Sequence, residues 1–466
     1  MKTEAMLLCS LLTAAFGAAQ EGAPAGAAPA TPAAAGDRTP DAPCRELLLP
    51  AHGGRDAYTP AAAFGANGYL VVWQSGRNGP GDLRKGINLI GDIVGCRVDG
   101  AGSARDAEPF VICGAADQQE NPSVAFGDGT FLVVWQDIRN GRDWDVYAAR
   151  VTADGPPAVS RLREDATAGT AGQARVLDAG GFLVAGGAHN QAKPRVVWDG
   201  HSFVVAWQDM RNGRWYEIRA ARVSATGEML DKEAVLVASG NFYHCFDPAL
   251  ASAGDGRSFL VHIAEGDPVD GYKVPGVQGW FLQDGRPVAK PAYVMDKGNK
   301  PRGDQGPDGR CGPMSMAAGG GACLLAWKND SSLGRGSGTA GNAALFDAGG
   351  VRKRDFSFSA GKGARDPKRI LNPSVAWDGS AFVLAWHEFV RERTDGCPSD
   401  AVFARRVMPD GSSPAEPRRI AGTFANPASS PSVASDGAGK TLVAYEKHPA
   451  TGDVPIRIGV CIMGAR

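Results

Sequence analysis

Three stretches decide the fold: PSVAFGDGTFLVVWQD (Pro122–Asp137), PRVVWDGHSFVVAWQD (Pro194–Asp209) and PSVAWDGSAFVLAWHE (Pro373–Glu388). Each opens on proline, runs through a short apolar segment, turns at Asp-Gly and returns through an unbroken apolar run to tryptophan. Asx-Gly dipeptides suit tight hairpins, because glycine, and often Asn or Asp, accepts positive φ. A short apolar run bounded by turn residues reads as a buried strand. Each stretch therefore reads as a hairpin whose second strand lies in a core.

The same phase extends along the whole chain. The opening proline recurs as Pro60, Pro122, Pro194, Pro248, Pro313, Pro373 and Pro431, at intervals of roughly sixty residues. The large apolar residue ending the second strand is Trp73, Trp135, Trp207, Ile263, Trp327, Trp386 and Tyr445 in turn. A longer loop and a third strand follow, such as DVYAARV (Asp145–Val151) or EIRAARV (Glu217–Val223). A second turn leads to a weaker fourth strand, such as PFVIC (Pro109–Cys113) or AVLVA (Ala234–Ala238). Four antiparallel strands repeated seven times predict an all-β, seven-bladed β-propeller over residues 44–466. The stretch GGFLVAGG, inside an irregular insertion at 164–192, reads as a candidate extra hairpin.

The last unit stops after its third strand (Ile456–Ile462), whereas Arg45–Pro50 (RELLLP) precedes Pro60 as a fourth strand precedes Pro122. The N-terminal strand is therefore expected to complete the seventh blade and remove two unpaired edges. Cys44 and Cys461 flank that seam and form a candidate disulfide; Cys96 and Cys113, on the third and fourth strands of blade 1, form another.

Residues 1–19 read as an export signal: Lys2, an apolar run over Met6–Ala15, then Gly17-Ala18-Ala19. Residues 20–43 are an Ala/Pro-rich linker with nothing to build a core from. The expected location is secreted, periplasmic or cell-surface. A net charge of −1 gives no footprint for nucleic acid, and no segment is long and apolar enough to span a membrane. No ligand motif calls for a metal or cofactor, and a monomer is expected.

With these motifs in view, the chain resembles exported bacterial propeller proteins carrying PxVAWDGxxFLVVWxDxRxG repeats. The resemblance covers residues 45–466, implies the fold and implies no catalytic residues. A looser likeness to the Asp-box turns of sialidase propellers lacks both the Ser-x-Asp-x-Gly-x-Thr-Trp string and an arginine triad, so it implies no sialidase activity.

Chemistry is expected where loops gather at the channel mouth. The repeated WQDxRNG loops read as scaffold, because a group present in every blade serves the blade first. Departures from the repeat are the candidates. His244, Glu265, His387 and Glu388 form a possible acid/base set for a polysaccharide hydrolase or lyase. Glu120, Asn121 and Asp247, with Trp144, Trp215 and Tyr216 in the loops between second and third strands, are candidate ligand contacts. Aromatic rings there suit stacking on sugars. The leading expectation is a non-catalytic propeller binding a protein or glycan. A polysaccharide-active enzyme and a structural surface component are the alternatives, since fold alone does not choose among them.

Overall fold

The computed structural model describes residues 45–76, 91–153, 176–240, 244–264, 276–288, 292–293, 313–330, 339–359, 370–391, 398–423, 425–450 and 454–464. The export-signal and linker expectations, Cys44 and Glu265 lie outside them.

Seven antiparallel sheets form in chain order. Blade 1 is β2 (Ala57–Gly65), β3 (Gly68–Gly76), β4 (Gly91–Asp99) and β5 (Phe110–Cys113). Blade 2 is β6 (Gln119–Gly127), β7 (Thr130–Asp137), β8 (Asp145–Thr152) and β9 (Phe182–Ala185). Blade 3 is β10 (Gln191–Trp198), β11 (Phe203–Asp209), β12 (Glu217–Val223) and β13 (Val235–Ala238). In blade 4, β14 (Cys245–Gly254) and β15 (Arg257–Ala264) lead to β16 (Gly276–Gln283), which pairs with both β17 (Arg286–Pro287) and β18 (Ala292–Tyr293). Blade 5 is β19 (Met314–Gly319), β20 (Ala322–Asp330), β21 (Thr339–Asp347) and β22 (Arg352–Phe358). Blade 6 is β23 (Ile370–Trp377), β24 (Phe382–Arg391), β25 (Pro398–Val407) and β26 (Arg418–Ala421). Blade 7 is β27 (Ala428–Ser435), β28 (Thr441–Lys447), β29 (Arg457–Met463) and, from the far end of the chain, β1 (Leu47–Leu48). First strands pack on first strands around the whole circle, and β27 meets β2. The molecule is a seven-bladed β-propeller.

Closure follows the expected seam. Leu47 pairs with Val460 and Leu48 with Gly459. The Leu49 amide donates to the Ile458 carbonyl at 2.8 Å, and Tyr445 Oη donates to Glu46 Oε1 at 2.7 Å. Cys461 is disulfide-bonded; its partner is none of the free thiols Cys96, Cys113, Cys245 and Cys323. The expected Cys96–Cys113 bond is not formed. Cys113 stands opposite Ile93, three residues from Cys96, and the two thiols enter different cores, toward blade 7 and toward blade 2. Burial pushes the Cys96 thiol to about 12 and the Cys113 thiol to about 11. The GGFLVAGG stretch likewise is no extra hairpin: Phe182–Ala185 is the fourth strand of blade 2.

The hydrophobic core is divided into seven clusters, most of which join two neighbouring blades. Trp135, for example, is fully buried against Leu70, Val72 and Ile112 of blade 1. The aromatic residues late in the first strands pack across glycines of the preceding blade. A Cβ at Gly127 would meet Trp198 at 2.0 Å, and one at Gly319 would meet Trp377 at 2.1 Å.

The register corrects one reading of the repeat. The spacing predicts Ile263 as the blade-4 counterpart of the tryptophans. However, Phe246 pairs with Ile263 and Cys245 with Ala264, as Glu120 pairs with Gln136 and Gln119 with Asp137. His262 therefore occupies the tryptophan slot. The cause is an irregularity between Ser252 and Gly254 in the first hairpin, which shifts the phase by one residue.

Candidate functional site

The repeat builds the mouth of the channel in a specific way. In every blade but the fifth, the first strand carries a bulge at its repeat proline, so the ladder skips between, for example, Glu120 and Ser123. The residue just before the proline takes a left-handed backbone: Thr59 (φ 49°), Asn121 (54°), Lys193 (52°), Asp247 (50°), Asn372 (46°) and Ser430 (49°). Such a conformation is uncommon for residues other than glycine and persists only where the surroundings hold it.

What holds it is the neighbouring blade. At four of the six positions, the residue after the tryptophan slot reaches across and accepts the bulge amide. Gln136 Oε1 takes Lys193 N–H at 2.9 Å, and Gln208 Oε1 takes Asp247 N–H at 3.2 Å. His387 Nδ1 takes Ser430 N–H at 3.2 Å, and Glu446 Oε1 takes Thr59 N–H at 2.8 Å. Three residues further on, serine hydroxyls make a second tie: Ser123 to Val196, Ser315 to Val375, Ser374 to Val433 and Ser432 to Ala62, at 3.0–3.3 Å. In these four blades the amide of the bulge residue is thus spent on the neighbouring blade, and the tie makes no use of its side chain.

Those side chains form two groups. On blades 2 to 4, Lys193 Nζ pairs with Asp247 Oδ1. Glu120 accepts from Gln136 Nε2 at 2.7 Å and Gln118 Nε2 at 2.6 Å. Burial raises the Glu120 pKa, against the pull of those amide donors and of Lys193. Asn121 Nδ2 lies 3.4 Å from Glu120 Oε1. On blades 6 and 7, Asn372 Nδ2 donates to Ser430 Oγ at 3.2 Å. Beside it, Ser429 Oγ donates to Glu446 Oε2 at 2.8 Å and lies 2.8 Å from His448 Nε2. Burial opposes the Glu446 charge, but His448, the Thr59 amide and Ser429 outweigh it and keep the carboxyl below its ordinary pKa.

The aromatic candidates lie just outside this ring. Trp144 and Tyr216 occupy equivalent, half-buried positions in blades 2 and 3. Their amides are caught by the next blade, Trp144 by Asn190 Oδ1 and Tyr216 by His244 Nδ1, both at 3.1 Å. The Tyr216 ring tilts against the His244 imidazole at 5.8 Å. Trp215 is half-buried with the Arg214 guanidinium 6.0 Å from its ring.

Of the proposed acid/base set, Glu265 lies outside the described residues, and the other three are engaged at separate places in the ring. His244 serves the seam of blades 3 and 4, and His387 that of blades 6 and 7. Glu388 is buried and accepts from Trp386 Nε1 at 3.1 Å and Ser359 Oγ at 2.9 Å. It thereby takes the part that Asp137 and Asp209 play for Trp135 and Trp207, at 2.9 and 2.8 Å. Those aspartates also bind Arg139 and Arg211 of the WQDxRNG loops. Among the described residues, no cluster of three or more His, Cys, Asp or Glu side chains could hold a metal ion. Thr59, Lys193 and Ser430 were not singled out from the sequence. The signal for them is simple in hindsight: each directly precedes a repeat proline.

No family model matches the chain, and no curated protein does. Among solved structures, several match at low identity. A protein of unknown function from Dyadobacter fermentans matches with TM-score 0.45 and 13% identity, over 91% of this chain and 99% of that one. Trypanosoma rangeli sialidase matches with TM-score 0.43 and 13% identity, over 87% of this chain and 55% of that one. Penicillium chrysogenum α-L-arabinanase, solved with arabinobiose, matches with TM-score 0.44 and 12% identity, over 74% and 93%. Likeness at this level carries no argument; the fold rests on the sheets themselves.

Proposed function

We propose that this chain is an exported propeller that binds a glycan at its channel mouth and does not cleave it. One observation carries the reading: Thr59, Lys193, Asp247 and Ser430 have their amides fixed to the neighbouring blade while their side chains differ from blade to blade. Varied polar groups on a fixed frame suit recognition of a ligand rich in hydroxyls. Trp144 and Tyr216 add half-exposed rings at the edge of blades 2 and 3, and sugar faces stack on such rings. The residues that suggested catalysis are engaged in holding blades together, which favours binding over bond cleavage. Export, and pairing of Cys461 with Cys44 to fasten the closing strand, belong to the same proposal.

The test is retention of labelled polysaccharides by the purified protein, scored beside release of reducing ends. The expected result is retention without release, weakened at least tenfold by Trp144→Ala or Tyr216→Ala, a loss of about 1.4 kcal/mol or more. Release abolished by Glu388→Gln would establish the enzyme reading instead. No retention across the panel, together with capture of a protein ligand at the same face, would overturn the glycan.

A further inference from the structure

We propose that the seam between blades 6 and 7 is an acid-sensitive latch, in which His387 holds the Ser430 amide only while its imidazole is neutral. The bond is an acceptor bond at Nδ1, 3.2 Å from the Ser430 nitrogen. An imidazolium has no lone pair at that atom, so protonation replaces an attraction with two opposed N–H groups. The equivalent clamps at Lys193 and Asp247 use glutamine carbonyl oxygens, which do not titrate. The clamp at Thr59 uses Glu446, whose carboxylate is stabilised in its charged form. Of these four clamps, one alone loses its acceptor in mildly acidic water.

The groups facing His387 come from several elements. Burial disfavours the imidazolium most. Asp400 of β25 and Glu446 of β28 favour it, whereas His448 and Lys328 of β20 oppose it. The net direction is a pKa below the ordinary 6.5. The sign follows: the folded form prefers neutral His387, so the clamp is intact above about pH 6.5 and is lost as pH falls through the lowered value. The deeper tie, Ser374 Oγ to Val433 N at 3.0 Å, has no titrating group. Opening is therefore confined to the mouth end of the seam, where Ser430 and its partner Asn372 sit. Release of a bound ligand in acid would follow if the mouth is the binding site, and that consequence rests on the proposed function; the latch does not.

Hydrogen exchange read by mass spectrometry on the full chain tests it. After correction for intrinsic exchange, peptides spanning Ser430 should lose protection as pH falls from about 6.5 toward the lowered His387 value, approaching tenfold per pH unit, while peptides spanning Lys193 and Asp247 hold theirs. His387→Gln installs the acceptor that blades 2 and 3 use and should abolish the response; His387→Asn is the substitute if that variant does not fold. His448→Gln should leave the response in place. A response that survives His387→Gln, vanishes in His448→Gln, or is missing from the unaltered protein overturns the latch. Glycan retention at pH 5 and 7.5 is scored separately, so failure of the ligand reading leaves the exchange result standing.

Discussion

His262 should make the propeller acid-labile in a measurable window. It fills the tryptophan slot of blade 4 with no exposed surface. Its Nδ1 lies 3.2 Å from the Ile263 carbonyl, and its Nε2 accepts from Trp280 Nε1 at 3.2 Å. Both bonds are satisfied by one neutral tautomer. Burial pulls the pKa from 6.5 to about 4. The folded state thus binds a proton later than the unfolded chain, and stability is lost as pH falls from 6.5 toward about 4. At about 1.4 kcal/mol per pH unit, that gap is worth roughly 3 kcal/mol. His262→Gln keeps an acceptor for Trp280 and removes the titration. Urea denaturation at pH 7.5, 6, 5 and 4 should show the unaltered protein losing about 3 kcal/mol relative to the variant across the series. A difference that stays constant from pH 7.5 to 4 would refute the buried, neutral histidine.

The other predictions concern the frame. Asp209→Ala strands Arg211 and the Trp207 indole, and should cost about 3 kcal/mol in denaturant unfolding. Gly127→Ala drives a methyl into Trp198 and should cost about 1–3 kcal/mol, with Trp198 fluorescence changed in the folded state. Glu46→Ala removes the partners of Tyr445 and Lys447 at the closing strand; exchange should rise in β1 and β29 and stay unchanged in blades 3 to 5.

The architecture was legible because proline recurs in phase seven times, with tryptophan closing the second strand in five of the units, and the fourth strand of blade 7 has an obvious substitute in Arg45–Pro50. What escaped were features that depend on register. One extra residue in the blade-4 hairpin moved His262 into a slot that spacing gave to Ile263. Cys96 and Cys113 sit on adjacent strands, yet the pleat and a bulge send them into different cores. The candidate site was harder for a different reason. His387, Glu388 and Glu446 depart from the repeat and so attract a functional reading, but they fill the repeat's structural positions with different chemistry. Lys193 and Ser430 were hidden because nothing in a one-dimensional pattern says that the residue before a proline has its amide fixed by another blade.

The bulge at six of the repeat prolines separates two kinds of information. At Thr59, Lys193, Asp247 and Ser430 the tie to the next blade is carried by a main-chain N–H, which nearly every amino acid possesses, so that tie does not depend on which side chain stands there. Thr59, Lys193, Asp247 and Ser430 can then be read as letters set in a circular line of type, with Lys193 and Asp247, which pair, forming one syllable. A propeller of this design could change what it recognises by single substitutions at the mouth, leaving the cores and seams that hold the ring untouched.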